Sequence, residues 1–270
     1  MRFPIWLTLT AAAIAVGIVL IIGRILIKPE RPLLASAGFN IETISPNADG
    51  VDDVTQFSYE VTKNAFVSMV FVNEDGDKYI FRDHEHRAAD EYSVLFSGIV
   101  DGYVLPDENI VGEVLRRLIP DGAYTWTLTA TAQDNSETAE TSGTLVVENG
   151  DSPLPLMTIF SIGPDEFTPN QDGVNDRVFV NVELVKETDE LTVYLVDEDD
   201  NRIYVPRREE GREPGEAGRH VFDYDGGIDI GADPPPDGEY TVIAEAKDAA
   251  GQVVKRTASL TIRDGGRPLA

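Results

Sequence analysis

Apolar and polar residues alternate along most of the chain beyond residue 40. Thr55–Thr62 (TQFSYEVT), Ala65–Val72 (AFVSMVFV), Val178–Val185 (VFVNVELV) and Leu191–Val196 (LTVYLV) place Val, Phe, Tyr, Leu and Met at every second position. A two-residue period fits a half-buried strand, whose side chains point to opposite faces in turn. Acidic turns, Asn73–Asp77 and Asp197–Asn201, separate these runs from Lys78–Phe81 and Arg202–Val205 and predict hairpins. Further strands are expected from Tyr124, from Tyr240, over Gly143–Val147 and over Val253–Ile262. Helical periodicity arises at one place within this region. Asp107 is positioned to cap a short helix over Glu108–Leu118, with Ile110, Val111, Val114, Leu115 and Leu118 on one face.

The pattern occurs twice. Ser45-Pro46-Asn47-Ala48-Asp49-Gly50-Val51-Asp52-Asp53 returns 123 residues later as Thr168-Pro169-Asn170-Gln171-Asp172-Gly173-Val174-Asn175-Asp176. The strands after each copy correspond, as do Asp121-Gly122-Ala123-Tyr124 and Asp237-Gly238-Glu239-Tyr240. Many short strands with turns between them predict an all-β fold of two tandem β-sandwich domains, over 39–149 and 157–265. Residues 150–156 (GDSPLPL) read as a stiff linker, and 266–270 as a tail. Pro206–Arg219 reads as a mixed-charge, solvated and mobile loop.

The N-terminus differs in kind. Phe3–Gly23 carries no charge and as a helix would be about 30 Å long, the thickness of a bilayer core. Residues 1–27 are therefore expected to form a transmembrane signal-anchor helix, followed by a stalk over 28–38. Ala35-Ser36-Ala37 offers a cleavage pattern, but it lies well past the apolar run. Ala11–Ala13, Ala15 and Gly17 are small residues suited to helix–helix contact, which would serve an accessory subunit of a membrane or envelope complex.

The formal net charge is −26. Residues 1–31 hold four of the 22 basic and one of the 48 acidic side chains, which leaves −29 on the remainder. Such a surface repels phosphates and excludes nucleic acid as a partner. The absence of cysteine rules out disulfides, thiolate metal sites and a lipidated cysteine. No nucleophile elbow or phosphate-cradling loop is present, so an enzyme is not expected, and a polysaccharide-acting enzyme is the remote alternative.

The repeated acidic loops are the candidate chemistry. Calcium takes six to eight oxygens. Asn47, Asp49 and Asp53, with the Val51 carbonyl, could supply them in the first loop. Asn170, Asp172 and Asp176, with the Val174 carbonyl, could do so in the second. Gly50 and Gly173 would allow the bend. The same residues also suit a plain Asx turn that needs no metal. His84 and His86 would share a face on a strand and could hold zinc or copper, although RDHEHRAADE reads as a solvated loop. Counting flanking basic residues would place the C-terminal side in the cytoplasm. The calcium-type loops argue instead for the cell surface or periplasm, where millimolar calcium can fill weak sites.

The Ser/Thr-Pro-Asn-x-Asp-Gly-Val-x-Asp loops and the Asp-Gly-x-Tyr strands resemble the Ig-like domain of flagellar hook-capping proteins and the C-terminal domains of gliding-motility-associated proteins. Asp223-Tyr224-Asp225-Gly226-Gly227 and Asp248-Ala249-Ala250-Gly251 extend the resemblance. It covers roughly residues 40–265. It implies an extracytoplasmic Ig-like sandwich used for adhesion, scaffolding or spacing, with a protein or polysaccharide partner in the envelope. No region specific to hook capping is present.

Overall fold

The computed structural model describes Thr10, residues 13–18, 31–208 and 212–265. The expected membrane helix over 1–27 lies mostly outside these residues, as does the 266–270 tail. Thr10 and residues 13–18 are helical, and among the described residues no helix is long and apolar enough to cross a membrane.

Ten strands precede residue 150: β1 (Leu34–Phe39), β2 (Thr43–Ile44), β3 (Thr55–Val61), β4 (Ala65–Val72), β5 (Lys78–Arg87), β6 (Asp90–Phe96), β7 (Ile99–Asp101), β8 (Glu113–Leu118), β9 (Gly122–Ala132) and β10 (Thr138–Val147). Eight follow: β11 (Met157–Gly163), β12 (Glu166–Phe167), β13 (Val178–Leu184), β14 (Glu190–Val196), β15 (Arg202–Tyr204), β16 (Gly218–Tyr224), β17 (Gly238–Lys247) and β18 (Val253–Ile262). The fold is all-β with sandwich-like sheets. One sheet runs β1-β3-β6 and faces another ordered β2-β10-β9-β4-β5. The arrangement returns in the second half as β11-β13-β16 and β15-β14-β17-β18, with β12 pairing parallel to the end of β18 as β2 pairs parallel to β10. The duplication seen in the motifs thus extends to strand order.

Alternation explains why these segments are strands. In β4 and β13 every second side chain is buried, and β9 buries Tyr124, Trp126, Leu128, Ala130 and Ala132 in succession. Two hydrophobic clusters result. The first is aromatic: Phe57 lies 5.1 Å from Trp126 edge-on, and Phe71 stacks on Phe96 at 4.6 Å. The second is mainly aliphatic, built on Val178, Val180, Val182, Val242 and Leu260. Each Asp-Gly-x-Tyr motif closes its own sheet. Tyr124 and Tyr240 donate their hydroxyls to the carbonyls of Pro120 and Pro236 at 2.6 and 2.9 Å. Asp121 accepts from the N–H groups of Asn149 and Gly150, and Asp237 accepts from that of Gly265.

Three expectations need correction. Leu34–Phe39 is a strand paired with β3, so the sheet extends into the segment read as stalk. The helix over Glu108–Leu118 does not form, and its second half is strand β8. His84 and His86 lie on β5 rather than in a loop, and their rings pack against Phe66 at 4.2 and 5.6 Å. Residues 209–211 of the expected Pro206–Arg219 loop lie outside the described residues, and its ends join the sheet: Arg208 donates its N–H to Val221, and Gly218 and Arg219 belong to β16.

The β8 correction has a clear physical cause. After β17 pairs with one edge of β18, the other edge is occupied only at Thr261 and Ile262, by β12. The hairpin β7–β8 from the first half of the chain takes the other end of that edge, at Val253–Lys255. Arg116, Val114 and Glu113 pair with Val253, Val254 and Lys255. Unpaired strand groups gain more from such a ladder than the segment would gain from a short isolated helix. Ile110 and Val114 then pack on the second hydrophobic cluster, although they precede the linker.

Candidate functional site

Two features of the fold are candidates for function: the acidic loops and the seam where β8 meets β18.

In the first loop, the Asp53 carboxylate is turned inward onto backbone donors. Asn47 and Ala48 donate their N–H groups to Oδ1 at 3.0 and 2.7 Å, and Gly50 donates to Oδ2 at 2.6 Å. Asn47 Oδ1 accepts from the Asp49 N–H at 3.0 Å, and Asp49 Oδ1 accepts from the Val51 N–H at 2.8 Å. Desolvation pushes the Asp53 carboxyl up, but the N–H bonds from Gly50, Ala48 and Asn47 together outweigh it and hold the group below its ordinary range. The second loop repeats this geometry. Gln171 and Gly173 donate to Asp176 at 2.6 and 2.5 Å, and Asp172 and Val174 donate to Asn170 and Asp172 at 3.0 and 2.8 Å. The Val174 carbonyl accepts from Thr168 Oγ1 at 2.7 Å. Gly50 and Gly173 both sit at φ +88°, where a side chain would be strained.

Each loop therefore brings its predicted residues together, but around inward-pointing N–H groups. Such a concavity suits negative charge, and here it is filled by the loop's own carboxylate. A calcium ion would compete with those N–H groups for the carboxylate oxygens. Among the described residues, no group of three or more His, Asp or Glu side chains is placed to hold a metal ion. As folded, the loops do not fit a calcium cage. The valines Val51 and Val174 stand out from the tips, 64% and 63% exposed.

The seam contains polar residues that sequence reasoning missed. Gln252 is fully buried. Its Nε2 lies 2.9 Å from the Asp151 carbonyl, 3.0 Å from the Pro153 carbonyl and 2.9 Å from Asp248 Oδ2, while its Oε1 faces the Leu118 N–H at 3.4 Å. One side chain thus ties the linker and the end of β8 to the turn before β18. Lys186 completes the node, with Nζ 2.6 Å from Asp151 Oδ2, 3.0 Å from Asp248 Oδ2 and 3.0 Å from the Pro153 carbonyl. Beside it, Arg117 is 5% exposed. Arg117 donates both guanidinium arms to Glu108, at 2.5 and 2.6 Å, and stacks over Tyr103 at 4.8 Å. The Arg117 hydrogen bonds hold the Glu108 carboxyl below its usual range against a smaller opposing effect of burial.

Glycine makes the seam possible. A Cβ on Gly102 would lie 1.6 Å from the Val114 carbonyl oxygen, and one on Gly112 would lie 2.6 Å from that of Lys255. Gly102 and Gly112, with β-branched Ile99, Val100, Val111 and Val114 beside them, were a signal for a hairpin. No local signal marked Gln252 as its anchor.

No family model matches the chain, and no curated protein matches it. Solved structures do show likenesses. One is the tetra-tandem repeat in the extending region of a large adhesion protein, with 16% identity and a TM-score of 0.23 over 85% of this chain and 50% of that one. The fibronectin(III)-like modules of Clostridium thermocellum CbhA give 12% identity and a TM-score of 0.28 over 84% and 93%. A structure from a study of host cell surface retention of a 1.5-MDa bacterial ice-binding adhesin gives 16% identity and a TM-score of 0.25 over 84% and 63%. The chain spans half the length of the first of these and under two thirds of the third. Likenesses this slight carry no argument about function.

Proposed function

We propose that the chain is a membrane-anchored, extracytoplasmic structural and binding protein, non-enzymatic, in which two Ig-like domains act as one stiff spacer. The anchor is the uncharged Phe3–Gly23 run. The single observation that supports the spacer reading best is the seam. A strand from before the linker is hydrogen-bonded into a sheet from after it, and fully buried Gln252 pins the linker between them. Domains joined only by a tether move independently. Here backbone pairing, a buried amide and the Lys186 node would have to break first. The acidic loops serve this role as metal-free turns at the strand entries.

The test is an interdomain distance distribution. Spin labels on exposed Ile80 of β5 and Tyr204 of β15, in full-length protein in detergent, should give one narrow distance that does not change with calcium. A broad distribution would defeat the spacer reading. Protease shaving of intact cells should remove the domains, and their protection would defeat the extracytoplasmic placement.

A further inference from the structure

The outer face of the β11-β13-β16 sheet is the exception on an acidic molecule. A cleft of about 650 Å³ lies there, lined by Arg207, Arg208, Arg212 and Arg219; among the described residues no carboxylate side chain lines it, and Arg212 pairs with Glu216 at 3.4 Å. Its floor is half-buried Ile162, Phe179 and Val221. The guanidinium groups are held in place. Arg207 donates to the Arg212 carbonyl at 2.7 Å, Arg219 to Asn181 Oδ1 at 2.6 Å, and Arg212 to the Ala217 carbonyl at 2.6 Å. Buried His220 steadies the same loop, with Nε2 2.6 Å from the Glu216 carbonyl. That acceptor requires the proton on Nε2.

Arg207 and Arg219 therefore have neutral partners, and among the described residues neither makes an ion pair. Their charges are positioned but not cancelled, on a chain of net charge −26 where most cations are matched by acids. Preorganised arginine forks suit carboxylates and other planar oxyanions. An apolar floor with an aromatic ring suits the C–H face of a sugar. A pocket of this size holds a ligand of one or two sugar rings, and its open shape lets a chain continue. An acidic peptide would normally add main-chain pairing at a strand edge. On the arginine side that edge is taken, because Arg208 donates its N–H to Val221 and Asp223 donates its N–H to Pro206.

We propose that this cleft binds a uronate-bearing polysaccharide, with Arg207 and Arg219 holding a ring carboxylate and Phe179 under the ring. The proposal rests on the binding half of the function proposed above and is independent of the stiff seam.

The probe is tetragalacturonate, titrated by calorimetry into full-length protein in detergent at low salt. Binding is expected, and it should weaken as salt rises. The Arg207→Gln/Arg219→Gln double variant and, separately, Phe179→Ala should each lose about tenfold or more in affinity. The more conservative Arg219→Lys variant keeps the charge without the fork and should also bind more weakly. No binding by the wild type would overturn the proposal. So would equal binding of neutral galactotetraose, tighter binding of a tetraglutamate peptide, or wild-type affinity in the folded variants. The interdomain distance should be unchanged in all of them, so failure here leaves the spacer reading standing.

Discussion

Replacing Gln252 with Met removes the seam's central donor while nearly conserving volume, so the cavity contribution is small. The two Nε2 hydrogens serve three acceptors, the Asp151 and Pro153 carbonyls and Asp248 Oδ2. Asp248 keeps Lys186 and the Gln252 backbone N–H, at 3.0 and 2.8 Å. The Asp151 carbonyl and the Leu118 N–H lose their partner, while the Pro153 carbonyl keeps Lys186 at 3.0 Å. Two lost bonds at about 1 kcal/mol each, plus the cost of partly buried orphans, give a destabilisation of about 3 kcal/mol. For a chain of this size that corresponds to a fall of about 6–12 °C in melting temperature. Scanning calorimetry of the full chain in detergent would measure it. The endotherm should also broaden or split, because the two sheet pairs lose their shared node. A fall of less than about 2 °C with an unchanged peak shape would refute the claim that Gln252 couples them.

Gly112→Ala should drive a Cβ into the Lys255 carbonyl and free the hairpin, and hydrogen exchange at Val254 and Lys255 should then rise while β4 and β9 stay protected. Glu108 has a folded pKa below its ordinary 4.5, so its contribution is fully present above that value and is lost as pH falls through the depressed one. Glu108→Gln should flatten the acid limb of the stability curve and cost about 2–3 kcal/mol at pH 7 by leaving buried Arg117 unpaired, as denaturant titration would show. Asp53→Ala should cost about 1 kcal/mol through three lost hydrogen bonds in a loop where water replaces part of them. Millimolar calcium should leave the wild-type melting temperature unchanged, and a clear rise would restore the calcium reading.

Much of the fold was legible because its cause is local. The period-two pattern of Ala65–Val72 and Val178–Leu184 marks strands whichever neighbours they meet. The 123-residue repeat carries the strand order with it, down to the matching bond from Ser45 to Asp52 and from Thr168 to Asn175. The loop residues were found, but the chemistry at their centre was not readable. Asn and Asp at these spacings can surround a cation or accept their own N–H groups, and only the backbone angles decide. The seam was invisible for a different reason. Glu113–Leu118 has an ambiguous pattern, and what settles it is an open strand edge about 140 residues further along the chain. The arginine cleft was concealed by composition, since the acids interspersed with Arg207–Arg219 made the stretch look neutral and solvated.

The loan of β8 to β18 also bears on how the molecule would fail. A bare strand edge is a template for stray pairing with other molecules. Here the exposed row of groups on Val253–Lys255 is covered by a segment of the same chain. A form that has shed the hairpin would remain largely folded yet present an adhesive margin to its neighbours. Clumping at ordinary concentrations, rather than melting, is how a damaged copy would be lost.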